Sequence, residues 1–207
     1  MRLILIRHGH TSSNARFLLD TAVPGADLDE VGQAEAARLV GRLADYQVQA
    51  IFASVLVRTQ QTAAPLAAAL GLPVTVLPGL REISAGDDEM SDDATNYFNT
   101  LIAWRDGDLS KRVPGGESAQ EFIGRYDRAI AEVAASGADT AAAFSHGAAL
   151  RVWSWARIEG FDAAIGEGVL ENTGLIVADG DPNSGWKLAK LDGYRTKSGY
   201  IIEGERR

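Results

Sequence analysis

The chain has no cysteine among its 207 residues, which excludes disulfides, thiolate metal sites and a cysteine nucleophile and leaves the redox compartment open. Positive charge is also scarce: 20 Lys and Arg stand against 28 Asp and Glu, a formal net charge of -8. Binding to nucleic acid or to an anionic membrane surface draws on an excess of cations, so neither is expected, and any anionic ligand must be held by a local cationic pocket. Long apolar runs are missing too. The first, Leu3 to Ile6, ends at Arg7, too short for a signal-peptide core or a membrane span, and a cytoplasmic protein is the expectation.

What is present suits one compact domain over residues 1–207: 46% hydrophobic residues to fill a core and 23% charged residues to solvate it. Leu3 to Ile6 reads as a buried strand and Thr11 to Ala26 as a turn-rich loop. A helix is predicted from about Asp29 to Ala44, with Leu28, Val31, Leu39, Val40 and Leu43 as its apolar positions. Ala50 to Ala53 is a second strand, followed by an alanine-rich helix that stops at Gly71 and a third strand at Val74 to Leu77. Pro78 to Asp93 mixes glycine with acids and reads as an exposed functional loop. The helix after it carries Tyr97, Phe98 and Trp104, which serve either as core or as the apolar wall of a pocket.

Beyond the break at Pro114-Gly115-Gly116, Ser118 and Glu121 form a capping box for a helix that buries Phe122, Tyr126, Ala129 and Val133. Thr140 to Phe144 is the next strand, and a helix with Leu150, Val152 and Trp153 follows. Gly174 to Ala178 and Trp186 to Leu191 are two further strands, and the tail from Gly193 fits no element. This order predicts a three-layer α/β/α domain with a mainly parallel central sheet.

Two of these strands end alike, at Arg7-His8-Gly9 and at Ser145-His146-Gly147. Parallel strands release their ends on one sheet edge, so His8 and His146 are expected to meet there. Arg7 adjoins His8 and Arg58 follows the second strand, and two guanidinium groups converging on one place suit a dianionic phosphate. Asn14 adds a neutral donor from the first loop.

The chain resembles the histidine phosphatases, the phosphoglycerate mutase-like superfamily, over nearly its whole length. The resemblance rests on Arg7-His8-Gly9 with Thr11 and Asn14, on Leu28 to Ala34, on Ser54 with Arg58, Gln61, Thr62 and Ala63, on Leu80-Arg81-Glu82, on Gly115-Gly116-Glu117-Ser118, and on Ser145-His146-Gly147. It implies that His8 takes the phosphoryl group, that Arg7, Asn14, Arg58, His146 and Gly147 bind its oxygens, and that Glu82 protonates the leaving oxygen. A histidine nucleophile needs one neutral, unprotonated ring nitrogen, which a hydrogen bond from the other to a backbone carbonyl provides. Glu82 must start protonated, so its pKa must be raised.

No metal and no cofactor enters this scheme. The expected partner is a small-molecule phosphate ester, with no nucleic acid and no membrane, and a homodimer is left open. Phosphatase is preferred to mutase because the region after Glu82 is short and lacks a basic insertion. A phosphoglycerate mutase-type transferase, a non-catalytic phosphate-ligand binding protein and a phosphodiesterase in which the histidines act as base and acid remain as alternatives. Two features depart from the family pattern. His10 occupies a position where the family more often has Glu or Gln, and it is expected beside the pocket as a bystander. Asp87-Asp88-Glu89 replaces a more aromatic rim, where the acids either repel a second anionic group or form a solvated loop.

Overall fold

The computed structural model describes residues 1–162 and 168–195. All strands among them join one sheet in the order β3-β2-β4-β1-β6-β7-β5. β1 (Arg2–Arg7) lies at its centre, parallel to β4 (Thr140–Ser145) on one side and antiparallel to β6 (Val169–Asp181) on the other. β2 (Ala50–Ala53) runs parallel to β4 and to β3 (Val74–Val76). β7 (Gly185–Arg195) pairs antiparallel with β6 and parallel with the short β5 (Ile158–Glu159). The sheet is therefore mostly parallel.

The alternation of side chains along β1 divides the core in two. Leu3 and Leu5 face a cluster with Phe122, Tyr126, Leu150 and Trp153, from α5 (Ala119–Ala135) and α6 (Gly147–Arg157). Ile4 and Ile6 face Leu39, Leu43, Ala63 and Leu66, from the region of α2 (Glu30–Arg42) and from α3 (Val57–Leu70). Helices on both faces of one sheet give the three layers.

Local chemistry sets the element ends. Asp29 caps α2 through Oδ1 on the Gly32 amide at 2.9 Å, and Ser118 and Glu121 close the capping box of α5. Gly71 ends α3 in the left-handed conformation, φ 66°. Of the apolar positions expected for α2, Leu28, Leu39 and Leu43 are buried, but Val31 is exposed and Gly32 and Ala36 take the buried face in its place. The reason is close approach, because a side chain at Gly32 would collide with the His10 carbonyl.

Three further expectations change. The first loop contains one helical turn, α1 (Ser12–Ala15), capped by Thr11. Pro78 to Asp93 is anchored rather than exposed: it forms 3-10 turns at Pro78–Leu80 and Gly86–Asp88 and buries Leu80, Ile83 and Ala85. β6 and β7 extend well beyond Gly174 to Ala178 and Trp186 to Leu191, and β7 takes up the start of the expected tail, whose residues 196–207 lie outside the described ones.

Candidate active site

A cavity of about 570 Å³ opens at the carboxyl ends of β1 and β4, lined among others by Arg7, His8, Asn14, Arg58, Glu82 and Gly147. The topology brings these together because β1 and β4 are neighbours in register, Arg7 opposite Ser145. The His8 and His146 rings lie 5.3 Å apart.

His8 is buried, and its Nδ1 is 2.8 Å from the Gly9 carbonyl. Nδ1 therefore donates, which leaves Nε2 as the unprotonated nitrogen. Burial, reinforced by the charges of Arg58 and Arg7, pushes the imidazole pKa well below its ordinary value, so the ring stays neutral. Its backbone is pinned as well: the His8 carbonyl accepts from Asn172 Nδ2 at 2.9 Å, and the Gly9 amide donates to Thr62 Oγ1 at 2.9 Å.

Arg58 donates from Nη2 to the Asp20 carbonyl at 2.7 Å, and its Nη1 lies 3.6 Å from the Asp20 carboxylate. Arg7 donates from Nη1 to the Leu170 carbonyl at 2.6 Å. Among the described residues, buried Nε of Arg7 and buried Nε and Nη1 of Arg58 have no hydrogen-bond acceptor. An unpaired buried donor costs about 1–3 kcal/mol, more when charged, so two guanidinium groups left in this condition beside His8 are built for an external anion. Gly147 completes the approach, since a Cβ there would stand 3.2 Å from Arg7 Nε. Asn14 Oδ1 accepts from the Thr11 amide and from Asn172 Nδ2, both at 3.2 Å, so its own amide hydrogens are left for the cavity.

Glu82 is a cap supplied from a distance. His146, the N-cap residue of α6, makes no side-chain cap. Instead Glu82 accepts from the amides of Ala149 at 2.8 Å and Ala148 at 3.1 Å, and from its neighbour Ile83 at 2.8 Å. Desolvation raises the carboxyl pKa and these three amides oppose the rise, with burial prevailing. Oε1 carries two of the bonds and Oε2 one, so Oε2 has room for a proton.

His146 is fully buried and is not part of the cavity wall. Its Nε2 meets Ser54 Oγ at 2.7 Å and its Nδ1 meets Arg58 Nη2 at 3.3 Å. Burial and Arg58 hold it neutral, its pKa well below the ordinary value. In this arrangement it acts on the site through Arg58.

His10 does not face the cavity; it pairs with Asp29 at 2.6 Å on a half-exposed surface. The acids after Glu82 do not line it either. Glu89 accepts from the Thr21 amide and hydroxyl and from the Ala22 amide, and Asp88 accepts from Asn96. Of the three aromatic residues on the helix after the Glu82 loop, Tyr97 and Phe98 line the cavity and Trp104 is core. Among the described residues no group of three or more His, Asp or Glu side chains is placed to hold a metal ion.

Sequence reasoning gave no role to Asp20, Asn172 or Arg125. Arg125, on α5, donates to the carbonyls of Gly79, Arg81 and Glu82 and grips both oxygens of Glu117. All five of its N–H groups are used, three on the segment that carries Glu82 and two on Glu117. The one available signal was Glu117, in the turn Gly115 to Ser118.

With the fold and this geometry together, the class of protein is defined. The model of the Histidine phosphatase superfamily (branch 1) matches residues 3–192; the chain belongs to that family. Among its relatives, PE-PGRS family protein PE_PGRS11 of Mycobacterium tuberculosis is 38% identical over 208 residues, 91% of this chain and 36% of that protein. "Probable phosphoglycerate mutase GpmB" of an Enterobacter species is 32% identical over 138 residues, 64% of this chain and 62% of that one. The match thus spans less than two thirds of either relative's length. A mycobacterial glucosyl-3-phosphoglycerate phosphatase solved with VO3 superposes with a TM-score of 0.75 at 27% identity, covering 91% of this chain and 96% of that one. Among the described residues no helix is long and apolar enough to cross a membrane.

Proposed function

We propose that the protein is a phosphatase that hydrolyses a small-molecule phosphate monoester through a phosphohistidine on His8. The observation that carries this reading is the meeting, on one cavity, of a neutral imidazole with its Nδ1 held by the Gly9 carbonyl and two buried arginines with unspent donors. His8 Nε2 attacks phosphorus; the bond to the ester oxygen breaks, and Glu82 Oε2 delivers a proton to the departing alkoxide. Arg7 and Arg58 stabilise the charge on the equatorial oxygens during transfer. Glu82, now a carboxylate, takes a proton from water as that water attacks the phosphohistidine, which releases phosphate and restores both groups. The ester enters as a partner of the cationic cavity floor, and no nucleic acid or membrane is involved.

The test is to mix enzyme with a phosphate ester labelled in the phosphoryl group and to quench. The expected product is an acid-labile, alkali-stable phosphoenzyme that is absent in His8→Ala. Activity surviving in His8→Ala would remove the covalent route. The kinship with mutases adds a second arm: phosphoglycerate isomers should lose phosphate faster than they interconvert, and the opposite order would make the protein a transferase.

A further inference from the structure

Beyond the phosphate site the cavity has a second character, and it separates side chains by what they leave free. Three of its apolar residues are exposed. Phe98 and Ile102 on α4 (Thr95–Arg105) are 54% and 49% exposed, Val169 at the start of β6 is 53% exposed, and all three line the cavity with Val152 and Trp155 of α6. Large apolar side chains held open in a concave site mark the binding surface of an apolar ligand.

Apart from Asn14, whose amide hydrogens belong to the phosphate site, the uncharged polar side chains nearby already have partners within the protein. Ser13 Oγ donates to Asp20, Thr21 Oγ1 donates to Glu89 and accepts from the Ala85 amide, Thr11 Oγ1 accepts from the Asn14 amide, and Tyr97 OH donates to the Ile83 carbonyl. A polyol or glycerate entering this space would lose water from its hydroxyl groups and find those partners occupied. The other charged lining residues are Arg105, Arg151 and Asp162, and arginine stems offer methylene surface as well as charge.

We infer that the alcohol part of the substrate is a bulky apolar group, an alkyl chain or an aromatic ring system on a primary alcohol, and not a sugar or a glycerate. The inference rests on the phosphatase reading for its chemistry, while its binding component stands apart from catalysis. Position supports it further: α4 and α6 approach the cavity from different parts of the chain, and both present aliphatic or aromatic side chains there.

The experiment uses esters of primary alcohols, so that leaving-group chemistry is matched: n-octyl phosphate and 2-(1-naphthyl)ethyl phosphate against glycerol 3-phosphate, glucose 6-phosphate and 3-phosphoglycerate, all below micelle-forming concentrations. The expected kcat/KM for each apolar ester exceeds that for glycerol 3-phosphate by at least about 30-fold, the effect of a few methylenes leaving water. In Phe98→Asp and Ile102→Asp, exposed positions where folding is little affected, the ratio of octyl to glycerol phosphate should fall at least about tenfold. Calorimetry of n-octylphosphonate and methylphosphonate, which are not hydrolysed, reads the same preference without turnover; octylphosphonate should bind at least about 30-fold more tightly. Absence of turnover and of phosphoenzyme with a retained phosphonate preference would reject the phosphatase and keep the pocket. Equal phosphonate affinities, a ratio near one, or a preference for 3-phosphoglycerate or glucose 6-phosphate would overturn the inference.

Discussion

Glu82 is held between opposing influences. Two backbone amides at the start of α6 and that of the adjacent Ile83 favour its carboxylate, and desolvation favours its acid form and prevails, so the acid persists above the ordinary value of 4.5. His8 moves the other way: its pKa falls well below 6.5, and the free imidazole survives into mildly acidic solution. A neutral His8 and a protonated Glu82 therefore coexist on the acid side of neutrality, and the rate on an alkyl phosphate should decline as pH rises past the elevated Glu82 value. In Glu82→Gln we expect kcat on an alkyl phosphate to drop by about 10²- to 10⁴-fold, the usual contribution of a general acid. A p-nitrophenyl ester, whose leaving group needs no proton, should suffer far less in its phosphorylation step. The alkaline limb should also flatten, the ester's own ionisation being common to both proteins. Superimposable profiles of kcat/KM against pH would assign the proton to another group.

One level up, the segment bearing Glu82 owes its place to α5. Arg125 satisfies three carbonyls of that segment and both oxygens of Glu117, and its guanidinium lies 4.9 Å over the Phe122 ring. The two segments are also clasped where the Asp87 amide donates to the Pro114 carbonyl at 2.8 Å. Lysine brings three donors on a point charge and cannot reproduce this fork. Arg125→Lys is expected to lower kcat on alkyl phosphates by about 10- to 100-fold, the scale of misplacing a catalytic group by an ångström, with a smaller effect on the p-nitrophenyl ester and a displaced alkaline limb. Arg125→Met, which leaves the largely buried Glu117 carboxylate with only the more distant Arg81 as a charged partner, should cost up to about 3–5 kcal/mol in urea unfolding. Equal losses on both esters would make Arg125 a purely structural residue.

At this scale the limits of the sequence are also visible. Ser118 and Glu121 could be read as a cap because both partners lie within one turn, and the buried face of α5 because Phe122, Tyr126, Ala129 and Val133 follow its period. The grip of Arg125 joins residues up to 46 apart and leaves no periodic trace. Likewise β6 is interrupted by the polar run Glu171-Asn172-Thr173, with Thr173 at φ 55° and a register shift beside it, so alternation could report only the half beyond Gly174. Asn172, which holds the His8 carbonyl, lies within that irregularity. His8, Arg58 and His146 were legible for the opposite reason: each follows a clean apolar strand closely.

For the molecule as a whole, the site is a cationic enclosure inside a chain of net charge -8, and maintaining it costs stability that depends on pH. His8 and His146 are buried with depressed pKa values among Arg7 and Arg58. Below 6.5 the unfolded chain binds protons at both positions while the folded chain does not, so stability is full above that value and is lost as pH falls toward the folded values. Each histidine withdraws up to about 1.4 kcal/mol per pH unit in that window. Glu82 has the reverse sign, its raised pKa adding stability as pH falls through the folded value, and it offsets part of the loss. The depressed aspartates, Asp29 and Asp179 among them, act only below 3.8, outside the window. Urea unfolding at about pH 7.5 and about pH 5.5 should therefore show lower stability at the lower pH, and His8→Gln should reduce the difference by removing one of the two proton-binding sites. A protein equally stable at both pH values, or a His8→Gln variant with an undiminished difference, would show that the enclosure does not hold His8 neutral.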